Sequence, residues 1–152
     1  MLITPHAVAG AAIGVRLKHP LLVIPAAVLS HFLLDTVPHW QETIYPYRPK
    51  LATWIRIPID LLLAVLGVFW IARHGKRQGR GKATAAVVGA LAGTLPDFDA
   101  LACANPLLLR NGTLKRYFVW HCAIQDETPH GWGLAPQIAV AVLALAIGLR
   151  SR

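Results

Sequence analysis

The stretch at positions 30–40, SHFLLDTVPHW, places His31, Asp35 and His39 at intervals of four. On a helix, residues four apart lie on one face, one turn from each other. Imidazole nitrogen together with carboxylate oxygen is the donor mixture that suits zinc or a similar divalent ion. Pro38 lacks a backbone N–H and disfavours helix at the residue before it, so it ends or bends the helix ahead of His39. His31 and Asp35 are therefore the firm pair, and His39 falls at the rim. One pair does not make a metal site, so further donors must come from other segments.

Five apolar stretches can carry them: 7–15, 20–34, 54–72, 83–95 and 134–149. The chain of 152 residues is 55% hydrophobic and only 14% charged, against about 25% charged in ordinary soluble domains. That composition argues against a water-soluble protein and fits one domain over 1–152. The runs are short beside the ~20 apolar residues of a spanning helix, and two arrangements compete. Buried helices of a soluble bundle need a polar face, which ATAAVVGALAG lacks. The other arrangement, in which the helices continue through their polar ends so that His and Asp lie at membrane depth, fits better. The expected architecture is an all-α, polytopic membrane bundle of about five helices plus one interfacial helix. A net charge of +8 does not point to nucleic acid, because Lys and Arg sit in short clusters between apolar runs, where they act as topology signals.

With the N-terminus outside and all five segments crossing, nine of the fifteen basic residues fall inside, including the dense run 73–82, RHGKRQGRGK. All seven Asp and Glu residues fall outside, as do Trp40, Tyr45, Tyr47, Trp54, Tyr117, Trp120 and Trp132, an interfacial aromatic belt. The expectation is an integral protein of an inner or plasma membrane with a cytoplasmic C-terminus. No cleaved signal peptide is expected, since the first residues have no basic segment. Gly10-x-x-x-Gly14 and Gly89-x-x-x-Gly93 suggest that the first and fourth segments pack tightly. Cys103 and Cys122 lack CxxC spacing and read as small apolar residues, able to pair only in an oxidising compartment.

Counting 1.5 Å per residue from the inner basic residues puts His6 at ~15 Å, His31 at ~20 Å, Asp35 at ~25 Å, Asp60 at ~20 Å and Asp97 at ~22 Å. Four segments thus bring an acid or imidazole to one layer near the outer face. An unpaired Asp at mid-membrane costs ~3 kcal/mol, and carboxylates at one depth repel one another. A divalent cation resolves both difficulties; a hydrogen-bonded Asp–His network that merely joins helices is the alternative. Asp99, two residues after Asp97, reads as a ligand or a solvated acid. Asp60, with no acid or His near it in its helix, reads as orienting a ligand imidazole. The connector 113–128 reads as an amphipathic helix at the outer interface, offering His121 and Gln125 four apart. His130 follows in a loop, TPHGWG, that can cover the pocket, and His130 and Glu127 are the candidates for general acid/base work.

TPHAVAGAAIG, SHFLLDTVPHW, GTLPDFDAL and a late His in an aromatic context together resemble a family of small membrane proteins described as metal-dependent hydrolase-like, with motif logic distantly similar to zinc-dependent phospholipase C-type proteins. The resemblance spans nearly the whole chain. It implies that His6, His31, Asp35, Asp97 and His121 hold metal. It also leads one to expect a second His one turn after His121, where this chain has Gln125; either the site is smaller here or His130 substitutes. The expected function is a hydrolase with a divalent ion, zinc first, acting at the outer interface on a lipid-linked or phosphoester substrate. The alternative is a non-enzymatic membrane protein whose cluster is structural or binds a cation.

Overall fold

Small residues decide the centre of the molecule. α1 (Ile3–Leu17) and α4 (Lys82–Thr94) cross at their glycines. A Cβ added at Gly10 would stand 2.1 Å from the Gly89 carbonyl oxygen, and one at Gly14 would stand 2.0 Å from that of Ala85. Such backbone approach is available only where a side chain is missing. Around α1 also pack α2 (Pro20–Asp35), α3 (Leu51–Gln78) and α6 (His130–Leu149), while α5 (Gly112–Ile124) lies against the 3-10 turns Leu95–Asp99 and Pro106–Arg110. This computed structural model describes residues 1–42, 51–100 and 105–150. Among them are six α-helices and no strand, so the chain is all-α. Tyr45, Tyr47 and Cys103 lie outside the described residues, and with Cys103 the expectation about a Cys103–Cys122 pair.

Side-chain size runs opposite to that of a soluble bundle. The buried cluster is Val8, Ala11, Ala12, Val15, Ile71, Ala86, Ala90 and Ala144. The large apolar side chains point outward: Leu21, Leu29 and Leu33 of α2, Ile55, Leu62, Phe69 and Trp70 of α3, Ile138 and Leu143 of α6. Two helices, α3 and α6, are long and apolar enough to cross a membrane.

The two ends of the bundle differ in chemistry. At one end the Arg16 guanidinium donates to the carbonyls of Ile147 and, at 3.0 Å, Arg150, and the Lys82 ammonium donates to Gln78 at 2.7 Å. At the other end Asp60 of α3 caps α1. Its carboxylate accepts the N–H groups of Ile3 (2.7 Å) and Thr4 (3.2 Å), and the Thr4 hydroxyl donates to its backbone carbonyl at 2.8 Å. Helix N-termini present unsatisfied N–H groups and a positive dipole end, and Leu2 at the cap position of α1 has no side-chain oxygen to offer. Asp60 therefore anchors the helix that carries His6 and does not orient an imidazole.

Three element boundaries depart from the sequence expectations. α3 runs on through the basic residues to Gln78 and turns at Gly79 and Gly81, both with positive φ (148° and 81°). α5 stops at Ile124, so Gln125 is no longer one helical turn above His121; its backbone is extended. His130 is not in a loop but is the first residue of α6. Between α5 and α6 the chain zips against the segment after α2: the N–H of His39 donates to Asp126 O (2.9 Å), that of Thr128 to His39 O (2.9 Å) and that of Asp126 to Asp35 O (3.2 Å).

The glycine crossing makes a direct prediction. Gly14→Val should lower stability by about 3 kcal/mol, the upper range for overpacking a tight contact. Gly131→Ala, where nothing stands within 4 Å, should be neutral or stabilising. Thermal unfolding of the purified protein checks both; equal midpoints for the two variants would contradict the packing.

Candidate metal centre

α2 delivers two of the central groups. Pro20 starts the helix at a position where its missing N–H costs nothing. The helix ends at Asp35, with Thr36 turned back to donate to Leu33 O at 2.8 Å and Pro38 barring continuation. His31 and Asp35 are one turn apart at its end, and both are fully buried.

Three atoms converge there. His31 Nε2, His121 Nε2 and Asp35 Oδ2 form a triangle with all three edges 3.1 Å. Asp97 Oδ1 comes within 3.6 Å of His31 Nε2. One ligand atom from each of His31, Asp35, Asp97 and His121 lies within 4.8 Å of every other. Ligands at ~2.0–2.1 Å in tetrahedral array stand ~3.3 Å apart, so the triangle is near the size such an ion needs.

The outer nitrogens fix the tautomers. His31 Nδ1–H donates to the Gly93 carbonyl at 2.8 Å, and His121 Nδ1–H donates to Asp99 Oδ2 at 2.8 Å. Each imidazole therefore turns its Nε2 inward, where Asp35 Oδ2 is also an acceptor. Three acceptor positions cannot face one another bare in a buried space; a proton or a metal ion must lie between them. Burial pulls the His121 imidazole down, but its hydrogen bonds to Asp35 and Asp99 outweigh this and push it up to about 9. Asp97 is the exposed member, at 24%, so the cluster opens on its side.

Pro96 sits in the first turn of the 3-10 stretch Leu95–Asp99, LPDFD, and at three residues per turn its two acids diverge. Asp97 faces His31, and Asp99 holds the His121 ring. Asp99 thus orients the His121 imidazole, which is neither the ligand role nor the solvated one that the sequence suggests. Tyr117 steadies the turn by donating to Pro96 O at 2.7 Å and stacks on Phe98.

His6 arrives from α1 but approaches the other oxygen: its Nε2 is 3.2 Å from Asp35 Oδ1. The Met1 ammonium is 2.9 Å from the same Oδ1. His39 is not at the rim. It is fully buried, its Nδ1–H donates to Val37 O at 2.7 Å, and its Nε2 meets no hydrogen-bonding partner among the described residues. Burial lowers its pKa.

The acid/base candidates are not brought to this cluster. Glu127 is exposed and receives a hydrogen bond from Gln41; His130 is exposed, with its ring edge on Trp40 at 4.4 Å. Gln125 is half-buried just beyond the end of α5, with extended backbone. One polar residue that sequence reasoning passed over is Gln137. Buried in α6, it accepts from Leu2 N–H (2.8 Å) and donates to Trp40 O (2.6 Å) and Gly133 O (2.9 Å), tying three segments together behind the site. Its signal was its isolation as the sole polar side chain in the apolar run 134–149.

Comparison of the chain with protein-family models, with curated proteins and with solved structures gives no match. The site must be read from its own geometry.

If Asp99 orients His121, Asp99→Asn should weaken divalent-ion binding by about 10- to 100-fold without abolishing it, whereas Asp35→Asn should abolish it. Titration with zinc against a competing chelator distinguishes them; indistinguishable affinities for wild type and Asp99→Asn would remove the orienting role.

Proposed function

We propose that the protein is an integral membrane, metal-dependent hydrolase whose ion is held by His31, Asp35, Asp97 and His121. One observation carries the reading: the triangle of inward-facing His31 Nε2, His121 Nε2 and Asp35 Oδ2, with Asp97 closing on it from the open side. The donor set of two imidazoles and two carboxylates fits zinc, with manganese and iron as competitors. A divalent ion there would supply Lewis-acid polarisation of an ester and activation of water. The protein's own contribution is to fix the two imidazoles through Gly93 O and Asp99, to exclude water from three of the four donors, and to leave Asp97 at the mouth where a substrate enters. The resemblance to metal-dependent hydrolase-like membrane proteins directs the substrate toward a lipid-linked or other phosphoester.

The membrane reading is supported by the outward-facing Leu, Ile, Phe and Trp side chains, by α3 and α6, and by the collection of Arg16, Lys82 and Arg150 at the end of the bundle opposite the His/Asp cluster. Positive charge marks the cytoplasmic side, which gives an outside N-terminus, a cytoplasmic C-terminus and a site facing outward. The full burial of His31, Asp35 and His121 favours a second reading, a closed structural cation site. The two readings differ on the Asp97 side, since catalytic sites keep a coordination position open.

Purified wild-type protein should carry stoichiometric divalent metal and hydrolyse a phosphoester, with activity lost to chelator and restored by zinc or manganese. Asp97→Asn should retain the fold and lose most of the activity. Absence of metal from the wild type would end the hydrolase reading; metal without activity on any ester would leave the structural one. For orientation, cysteines replacing His130 and His19 in a background free of other thiols should label from outside and from inside respectively. Labelling at position 19 from outside would reverse the topology.

A further inference from the structure

Asp35 has two oxygens, and they face different partners. Oδ2 belongs to the triangle with His31 and His121, while Oδ1 faces His6 Nε2 at 3.2 Å. The His6 ring is fully buried, and neither of its nitrogens makes a hydrogen bond of good geometry within the described residues. A neutral imidazole carries one N–H and one lone pair, so either tautomer leaves a buried nitrogen unsatisfied, which costs about 1–3 kcal/mol. His6 stacks on His31 with ring centroids 3.9 Å apart and planes 26° from parallel. The two rings thus run side by side, each directing Nε2 at a different oxygen of one carboxylate.

From this geometry we propose that the site takes a second divalent cation, on the His6 side, and that Asp35 bridges the two ions through Oδ2 and Oδ1. The inference rests on the first ion lying among His31, Asp35, Asp97 and His121. Rings stacked with centroids 3.9 Å apart bring two imidazole ligands side by side, as neighbouring ions in a two-metal site require. A bridging carboxylate keeps such a pair together, and the pair clamps the attacking and leaving oxygens of a phosphoester. That agrees with the phosphoester substrate already proposed. The Met1 ammonium, 2.9 Å from the same Oδ1, is a single positive charge on this oxygen, and the second cation displaces it. His6 is then a ligand of a different ion from the one His31 and His121 share, which is why its nitrogen is not in their triangle.

Manganese and zinc are the probes. Wild-type protein dialysed against zinc and assayed by elemental mass spectrometry should hold two ions per chain, and His6→Asn should hold one. Manganese-loaded wild type should show the electron paramagnetic spectrum of an exchange-coupled pair, and His6→Asn the six-line spectrum of an isolated ion. The wild-type spectrum decides the matter even if His6→Asn fails to fold. One ion per chain in wild type with an uncoupled manganese spectrum would overturn the second position while leaving the first intact. No bound ion at all would overturn both.

Discussion

A carboxylate with no access to water is the constraint on which this structure turns. Asp35 sits at the end of α2 with no exposed surface, and a buried charge persists only if it is paired and hydrogen-bonded. Each neighbouring element answers that demand. α1 contributes His6, α2 itself His31 and α5 His121, and the Met1 ammonium stands 2.9 Å from Oδ1. The glycine crossing of α1 and α4 serves the same end. A Cβ at Gly93 would press on the His6 carbonyl at 2.8 Å, and the Gly93 carbonyl in turn accepts from His31. Removing side chains at the crossing is what lets two imidazoles stack beside one acid.

Much of this was legible from spacing. The His31–Asp35 interval reads as one helical turn, and the apolar run before it makes the turn helical. Asp97 declared itself through depth, because an acid after thirteen apolar and small residues has nowhere cheap to go. The glycine motifs of the first and fourth segments named their partner correctly. These are local or one-dimensional signals, carried by periodicity and by distance along a helix.

What stayed hidden was set by partners remote in sequence. Asp60 was assigned to the site by depth, but the N-terminus of α1 claims its carboxylate; depth along an axis does not give angle around it. His39 follows a proline and reads as exposed, yet pairing with residues 126–128 folds it inward. Gln125 and His130 were read with helix boundaries that α5 and α6 do not observe. Helix ends are decided by capping and by tertiary hydrogen bonds, so they are the least local feature of a helix. Gln137 joins segments separated by 97 and 135 residues, a range no periodicity reports.

That long-range clamp has a consequence for how the protein is made. Synthesis proceeds from the N-terminus at about 5–20 residues per second, and His6, His31 and Asp35 are complete within its opening seconds. The segments that fix them, His121 on α5 and the Trp40–Gln137–Leu2 tie on α6, arrive at the end. During translation the half-built cluster has only His6 and His31 beside its acid, and the last two helices are the parts that seal it. Truncated or stalled chains would lack both His121 and the Gln137 tie, and with them the closure that hides Asp35 from water.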